Sequence, residues 1–326
     1  NPELVFKYHR VSDPAQKRQV LDLYWKNFSA HRIAPYNPAP LDPAGVTWPN
    51  IEAYKSGANT DMNAAFTPAI DWAAWDSSMT VAMDTYGFNS FVVPVQGMGG
   101  GTFHSRTEPT LLGYAESAPE YAMAFANYHR TVQEHLREKN WLDRGYVYWF
   151  DEPDPKDYEF VNNGFRKLKE AAPDIRRMLT EQPDAALVGP NIWCPISDAF
   201  DQAKADERMA QGDKFWWYVC TGPKAPYCTL FLDHPSLELR VWLWQTWQRK
   251  IGGILVWQSN YWTSDAAYPD PNTPQDPYVD PMSWMSGYDT QANTKKPWGN
   301  GDGRFIYPPE SASVRQGGPI LEGPVD

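Results

Sequence analysis

Short apolar runs alternate with amphipathic stretches along most of this chain of 326 residues. The consecutive apolar runs predict strands at 32–36, 88–95, 146–150, 177–180, 186–188, 215–220 and 254–258. Apolar residues at helical spacing predict helices at 14–30, 121–136, 160–172 and 236–250. The first of these helices also has start signals, because Asp13 is a good N-cap and Pro14 suits the first helical position.

The order of these segments predicts an α/β fold. Strands that alternate with helices pair in parallel through right-handed crossovers, and continuous apolar strands suit a sheet covered on both faces. A doubly wound sheet and a (β/α)8 barrel both fit. Polar, aromatic-rich segments follow the strand ends, at 37–65, 97–119, 151–157, 221–233 and 260–303. A barrel gathers such loops at one face, so we expect a (β/α)8 TIM-like barrel as a single domain over residues 1–326.

Composition and charge narrow the function. The net charge of −11 argues against binding to a nucleic acid backbone or an anionic membrane surface. No apolar run approaches the roughly 20 residues of a membrane-spanning helix. Aromatic residues make up 15% of the chain, and many lie beside Asp, Asn, Pro and Gly. Such composition suits a protein that binds flat, half-apolar ligands such as sugars.

Several common kinds of site are not supported. Cys194, Cys220 and Cys228 lack CxxC spacing, and the histidines are scattered without HExxH, so we expect no metal site. The spacing of Cys220 and Cys228 permits a disulfide, although two thiols are the more frequent outcome. The glycine-rich segment 97–101 has Thr102 where a dinucleotide motif needs glycine, which favours a flexible loop.

The sharpest candidate chemistry is Asp151-Glu152-Pro153, directly after the predicted strand 146–150. A barrel places catalytic groups at this end of its strands. Because adjacent carboxylates repel, we expect at least one raised pKa, which suits an acid that protonates a leaving oxygen. Pro153 is expected to restrict Glu152 to extended conformations. The alternative is a solvated acidic pair that caps the next helix.

Aromatic residues cluster near the later strand ends, at 216–218 and 257–262. The C–H face of a sugar packs on aromatic rings, while Asn and Asp bind its hydroxyl groups. Alternate residues of a strand also fill a barrel interior. Trp217 and Trp257 therefore fit either the core or a binding site.

Several segments together resemble one known family. They are HRIAPY at 31–36, YWFDEP at 148–153, WYVC at 217–220, FLD at 231–233, GILVWQSNYW at 253–262 and NGDGRFIYP at 300–308. In this order, and over nearly the whole chain, they resemble the catalytic domain of glycoside hydrolase family 123, also described as domain of unknown function 4091. The late Trp-rich strand is the more specific part of the resemblance.

The resemblance implies one catalytic barrel over residues 1–326 and an exo-acting, retaining β-N-acetylgalactosaminidase. In this family the 2-acetamido oxygen of the sugar attacks the anomeric carbon and forms an oxazolinium ion. Glu152 would then be the general acid and later the general base, and Asp151 would orient the acetamide. Substrate-binding residues are expected at Tyr36, Trp217, Tyr218, Trp257, Asn260, Trp262 and Asp302. No metal or organic cofactor is implied.

The resemblance also sets expectations for the rest of the protein. Family members carry a β-sandwich ahead of the barrel, so we expect a further domain or chain. The sequence begins near the first barrel helix and stops about where the last helix starts, which predicts an incomplete barrel. The expected partner is a glycan, in an extracellular or periplasmic location. Two alternatives stay open: action on a non-acetamido β-glycoside, and a carbohydrate-binding module without catalysis.

Overall fold

A computed structural model of the protein describes residues 1–262, 276–278, 285–286, 296–297, 301–313 and 316–325. The chain forms two compact units. The first unit comprises Asn1–His31, Pro195–Phe200 and Trp216–Asp326, and the second unit comprises Arg32–Cys194 and Asp201–Phe215. Much of the predicted loop at 260–303 lies outside the described residues.

Short parallel strands form the main sheet, and we label them β1 to β6. They are Phe91–Val92 (β1), Gly145–Tyr148 (β2), Arg176–Leu179 (β3), Ile192–Trp193 (β4), Lys214–Tyr218 (β5) and Gly253–Leu255 (β6). Their order in the sheet is the order of the chain. A doubly wound sheet contains a point where this order reverses, whereas a barrel does not, so the topology is consistent with an incomplete barrel. The sheet has six strands among the described residues, so the eight strands of a closed barrel are not shown.

Strand β5 belongs to both units. Its residues Lys214 and Phe215 pair with β4 in the second unit. The next residues, from Trp216 to Tyr218, pair with β6 in the first unit.

The helices confirm the predicted helical segments and add shorter ones. They are Pro2–His9 (α1), Pro14–Ala30 (α2), Ile51–Lys55 (α3), Met62–Ala65 (α4), Ala73–Thr80 (α5), Pro119–Glu138 (α6), Tyr158–Ala171 (α7), Gln202–Ala210 (α8) and Leu237–Gln248 (α9). Helix α2 begins at Pro14 as predicted, and Asp13 Oδ1 accepts hydrogen bonds from the backbone N–H groups of Ala15 and Gln16, both at 3.0 Å. Single turns of other helix types complete the set, at Val81–Thr85, Pro155–Asp157, Ser197–Ala199 and Glu310–Ser313.

Small antiparallel and mixed sheets shape the loops. Their strands are Gly45–Thr47 with Ala69–Asp71, Thr110–Leu111 with Tyr114–Ala115, Met285–Ser286 with Lys296–Pro297, and the trio Gly100–Thr102, Arg106–Thr107 and Phe150–Asp151. The trio explains the glycine-rich segment. A Cβ on Gly99 would lie 2.2 Å from Thr107 O, and one on Gly101 would lie 2.4 Å from Ser105 O. These glycines permit a tight hairpin.

Helix α7 packs closely against the segment that follows β2. The ring centroids of Trp149 and Phe165 are 5.5 Å apart, and Phe165 is fully buried. A Cβ on Gly164 would lie 2.3 Å from Trp149 Cη2. Only glycine at position 164 leaves room for this indole ring, so the helix and the strand end hold each other at a fixed distance.

The predicted strand at 32–36 is wrong. Arg32 has a left-handed φ of 57°, and Pro35 has no N–H to donate to a neighbouring strand. One backbone hydrogen bond to the sheet is present, in which Tyr36 O accepts from Val92 N in β1 at 2.8 Å.

The predicted strand at 186–188 is also wrong. The Asn162 side chain donates to Ala186 O at 2.7 Å and accepts from Val188 N at 2.8 Å. A side chain of α7 therefore satisfies backbone groups that a strand would pair with another strand. The strand of this region lies a few residues later, as β4.

Helix α9 is an unusual feature of the first unit. It buries Trp242, which stacks on Trp217 with ring centroids 5.8 Å apart. Its other large apolar residues face solvent, and Trp244 and Trp247 are 72% and 78% exposed. The apolar residues that predicted this helix are therefore mostly exposed, although the helix itself was predicted correctly.

Two further observations concern the described residues alone. Cys220 and Cys228 are not joined by a disulfide. No helix there combines the length and the apolar character needed to cross a lipid bilayer.

Candidate active site

The acidic pair lies at the carboxyl end of β2, in the second unit. Asp151 closes the short strand Phe150–Asp151, where it pairs in register with Thr102. Both Asp151 and Glu152 are half-buried, and Pro153 behind them is buried. The pair therefore lies at the strand end where a barrel enzyme carries its chemistry, and it is partly open to a ligand.

One hydroxyl group connects the two acids. Thr180 follows β3, the neighbouring strand, and its side chain is buried. Its Oγ1 accepts a hydrogen bond of 2.8 Å from Glu152 N and donates one of 3.0 Å to Asp151 Oδ1. The parallel register of β2 and β3, in which Met178 is opposite Tyr148, brings Thr180 to this level.

The backbone of Glu152 departs from expectation. Its φ is 44°, in the left-handed region, so the prediction of an extended conformation before Pro153 is wrong. A residue other than glycine costs about 1–3 kcal/mol in such a conformation, and a following proline adds steric hindrance. The hydrogen bond to Thr180 offsets part of this cost and fixes the direction in which the chain leaves the strand.

Two tyrosines surround Asp151. The hydroxyl of Tyr148 donates a short hydrogen bond to Asp151 Oδ1, and the ring of Tyr36 meets that of Tyr148 edge-on, with centroids 6.2 Å apart. Burial raises the pKa of Tyr148 well above its usual value, and the charge of Asp151 raises it further. The Tyr148 hydroxyl therefore keeps its proton and acts as a donor.

A cavity of about 460 Å³ lies next to the two tyrosines, and its lining residues do not include Asp151 or Glu152. Tyr36 and Tyr148 form part of its wall, together with apolar side chains that include Val92, Trp72 and Trp75. Tyr36 is 37% exposed. This wall joins aromatic and aliphatic side chains, as the walls of ligand pockets do, and one of its residues, Tyr148, bonds to Asp151.

Residues 98–317 match the family described as glycoside hydrolase 123, catalytic domain. The chain belongs to glycoside hydrolase family 123. No curated protein matches it. Among solved structures, a family 123 glycoside hydrolase from Clostridium perfringens, studied for glycolipid glycan hydrolysis, is similar, with a TM-score of 0.50 and 14% identity. The match covers 91% of this chain and 55% of that protein, and at this identity it shows the fold alone.

This family 123 chain has a third carboxylate near the acidic pair. Glu181 follows Thr180 and is half-buried. Desolvation raises the pKa of Glu181, and the charges of Glu152, Asp184 and Asp154 raise it further. Thr180, Glu181 and Tyr148 were not predicted as site residues. The usable signal for Thr180 and Glu181 was their position at the end of the predicted strand that follows the acidic strand.

Other residues predicted from the family resemblance lie in the first unit, and some are packed in its interior. Trp217 is buried, and its Nε1 donates to Thr246 Oγ1 at 3.1 Å. Trp262 is fully buried and donates to Ile306 O at 2.7 Å. Tyr218 is also buried, at the end of β5. As substrate-binding residues of a family 123 enzyme, all three stay predictions.

The remaining predicted residues form hydrogen-bonded groups. Trp257 Nε1 donates to Asp302 Oδ1 at 3.1 Å, and burial raises the pKa of Asp302 to about 6. Asn260 is buried, and its Oδ1 accepts from Gln258 Nε2 at 3.2 Å. Within the described part of this family 123 chain, no three His, Cys, Asp or Glu side chains come together as metal ligands would.

Proposed function

We propose that this chain is the catalytic part of a retaining exo-β-N-acetylgalactosaminidase that uses the acetamido group of its substrate as nucleophile. The observation that carries the proposal is the consecutive pair Asp151 and Glu152, tied together through one hydroxyl at the end of a barrel strand. Membership of glycoside hydrolase family 123 supports hydrolysis of a glycosidic bond. The substrate, the mechanism and the roles of the residues are part of the proposal.

The closeness of the two acids favours an internal nucleophile. A retaining enzyme with a separate carboxylate nucleophile needs carboxyl groups about 5 Å apart, one on each side of the bond. Consecutive residues bonded to one threonine are poorly placed to flank a sugar in this way. A nucleophile supplied by the substrate removes that requirement.

The proposed reaction has two steps. Glu152 donates its proton to the glycosidic oxygen while the acetamido oxygen attacks the anomeric carbon, so the bond to the leaving alcohol breaks and an oxazolinium ion forms. Asp151 accepts a hydrogen bond from the acetamido N–H and stabilises the developing positive charge. Glu152, now a carboxylate, takes a proton from water, which attacks the anomeric carbon and restores the acetamide. The cavity walled by Tyr36 and Tyr148 provides apolar surface for the bound sugar.

A panel of chromogenic substrates tests this function. We expect the chain to cleave an aryl β-N-acetylgalactosaminide, to leave the matching β-galactoside intact, and to bind a GalNAc-thiazoline analogue of the intermediate. Cleavage of both sugars with equal efficiency would instead identify a non-acetamido glycosidase. Binding of sugars without cleavage of any substrate would identify a carbohydrate-binding module.

A further inference from the structure

The hydrogen bonds that join Thr180 to the two acids have a fixed direction, although the Thr180 hydroxyl also meets that of Tyr148. A backbone N–H is always a donor, so Thr180 Oγ1 accepts from Glu152 N at 2.8 Å. The single hydroxyl proton of Thr180 is then free to donate, and Asp151 Oδ1, a carboxylate oxygen that can only accept, lies 3.0 Å away. The backbone N–H of Glu152 therefore donates to Thr180, and the hydroxyl of Thr180 donates to Asp151.

This order also divides the oxygens of Asp151. Oδ1 accepts from Thr180 and from the Tyr148 hydroxyl. Among the described residues, no donor is bonded to Oδ2 of Asp151. A ligand amide facing this carboxylate therefore meets Oδ2, while Oδ1 is held by the protein.

We propose that Thr180 is a positioning residue that sets the aim of both acids at once. The hydrogen bond that Thr180 accepts from Glu152 N holds Glu152 in a left-handed conformation. The hydrogen bond that Thr180 donates to Oδ1 of Asp151 turns Oδ2 toward the ligand. Thr180 itself touches no reacting atom. The inference rests on the proposed function of the acidic pair and deepens it.

Thr180→Val tests the hydroxyl, because valine keeps the shape and loses both hydrogen bonds. We expect kcat on the aryl β-N-acetylgalactosaminide to fall by about 10- to 100-fold, the usual worth of a hydrogen bond to a charged group, with KM nearly unchanged. Thr180→Ser keeps the hydroxyl and should restore most of kcat. The matched control is Thr131→Val in α6, which removes a bond of 2.9 Å to Asn127 O in the same unit and should leave kcat unchanged.

A second readout separates aim from stability. A dinitrophenyl leaving group departs without a proton, whereas a phenyl leaving group needs Glu152 as acid. If Thr180 aims Glu152, Thr180→Val loses more activity on the phenyl substrate than on the dinitrophenyl one. A purely structural role would lower both activities equally and would overturn the proposal.

A crystal structure of Thr180→Val decides the same point without substrate. We expect Glu152 to leave the left-handed region or the Asp151 carboxylate to rotate, with neither change in Thr180→Ser. Unchanged positions of both acids in the valine variant would refute the positioning role. If the unmodified chain cleaves no glycoside, the proposed function fails, and this structural comparison still decides what Thr180 does.

Discussion

Neighbouring groups give Asp151 and Glu152 different environments although the two residues are consecutive. Asp151 presents one oxygen to the hydroxyls of Tyr148 and Thr180, so its side chain is held by the protein. Glu152 is held through its backbone N–H and lies near the Glu181 carboxylate, which feels its charge. Such asymmetry suits one residue that orients a substrate and another that exchanges a proton.

Replacement of Glu152 tests the proton transfer. Glu152→Gln cannot donate or accept the proton, so we expect kcat on an aryl β-N-acetylgalactosaminide to fall by about 10²–10⁴-fold. Added azide should restore turnover in Glu152→Ala, because azide attacks the intermediate without a general base. Glu159→Gln, which alters an exposed glutamate on α7, is the matched control. Wild-type turnover in the glutamine variant would remove Glu152 from the mechanism.

Replacement of Asp151 tests the orientation of the acetamide. Asp151→Asn replaces a charged acceptor with a neutral amide, so we expect slower cleavage of acetamido substrates through a lower kcat. Asp143→Asn, at the opposite end of β2 with a highly exposed side chain, is the control and should have wild-type kinetics. Equal rates for the asparagine variant and the unmodified chain would exclude stabilisation of an oxazolinium ion by Asp151.

The sequence allowed the acids to be found but not their partners. Asp151 and Glu152 follow an apolar strand, and this position alone suggested a site. Thr180 belongs to another strand, and its contact depends on the register between β2 and β3, which the sequence does not specify. The conformation of Glu152 depends in turn on that contact, so a local rule about proline gave the wrong answer.

At the scale of elements, the helix α7 and the acidic strand end depend on a single glycine. Trp149 lies between the site residues Tyr148 and Asp151 in the chain, and its ring fills the space above Gly164. A shift of this ring would move the strand end. The packing of α7 therefore supports the position of the acids.

Gly164→Ala tests this packing. Alanine usually stabilises a helix by about 1 kcal/mol relative to glycine, but here its Cβ would lie 2.3 Å from the Trp149 ring. We expect a net loss of about 1–3 kcal/mol in the free energy of unfolding, measured by urea denaturation. Trp149→Phe in the same chain should recover part of the loss, because the clashing ring atoms are absent. Gly318→Ala, with nothing within 4 Å, is the control.

Short strands limited how well the elements could be predicted. Helices α2, α6, α7 and α9 were found because several turns of apolar spacing define them. Strand β4 has two residues, Ile192–Trp193, and so has no period to detect. The apolar run at 186–188 was mistaken for it, because the side-chain bonds of Asn162 are invisible in a one-dimensional pattern.

At the scale of the whole molecule, the order of the strands was the most useful prediction. Alternating strands and helices left a doubly wound sheet and a barrel open, and the loop composition favoured the barrel. The observed order from β1 to β6 agrees with that choice. The division into two compact units was not expected, because contacts between distant segments, such as residues 1–31 with the late chain, leave no local signal.

Stability of the chain should depend on pH through His129. Its imidazole is fully buried in α6, and burial lowers its pKa from about 6.5 to about 4, with a smaller contribution from the charge of Lys167. Between about pH 6.5 and about pH 4, His129 therefore binds a proton in the unfolded chain but not in the folded chain. We expect the free energy of unfolding to fall by roughly 2 kcal/mol between about pH 7 and about pH 5 because of this residue.

Urea denaturation at both pH values measures the effect, with His129→Asn as the test variant. Asparagine keeps an N–H near Phe125 O, where His129 Nδ1 now lies at 2.8 Å, but cannot titrate. The variant should lose the part of the pH dependence that His129 contributes and keep the part from His9, whose pKa burial also lowers. Asp302 has the opposite effect on stability, because its pKa is raised to about 6 and its protonation in acid stabilises the folded chain. The control variant is His104→Asn, which replaces an exposed histidine. An unchanged slope in His129→Asn would contradict the assignment.

The outward-facing tryptophans of α9 have a practical consequence for spectroscopy. Trp244 and Trp247 are the most exposed of the large apolar side chains in the described residues. A water-soluble quencher such as iodide reaches these indoles directly, whereas the buried rings of Trp193, Trp217 and Trp262 are shielded. Among the described tryptophans, α9 therefore carries the two that are most accessible to a quencher and most red-shifted, and loss of their quenching on addition of a macromolecule would report coverage of this surface.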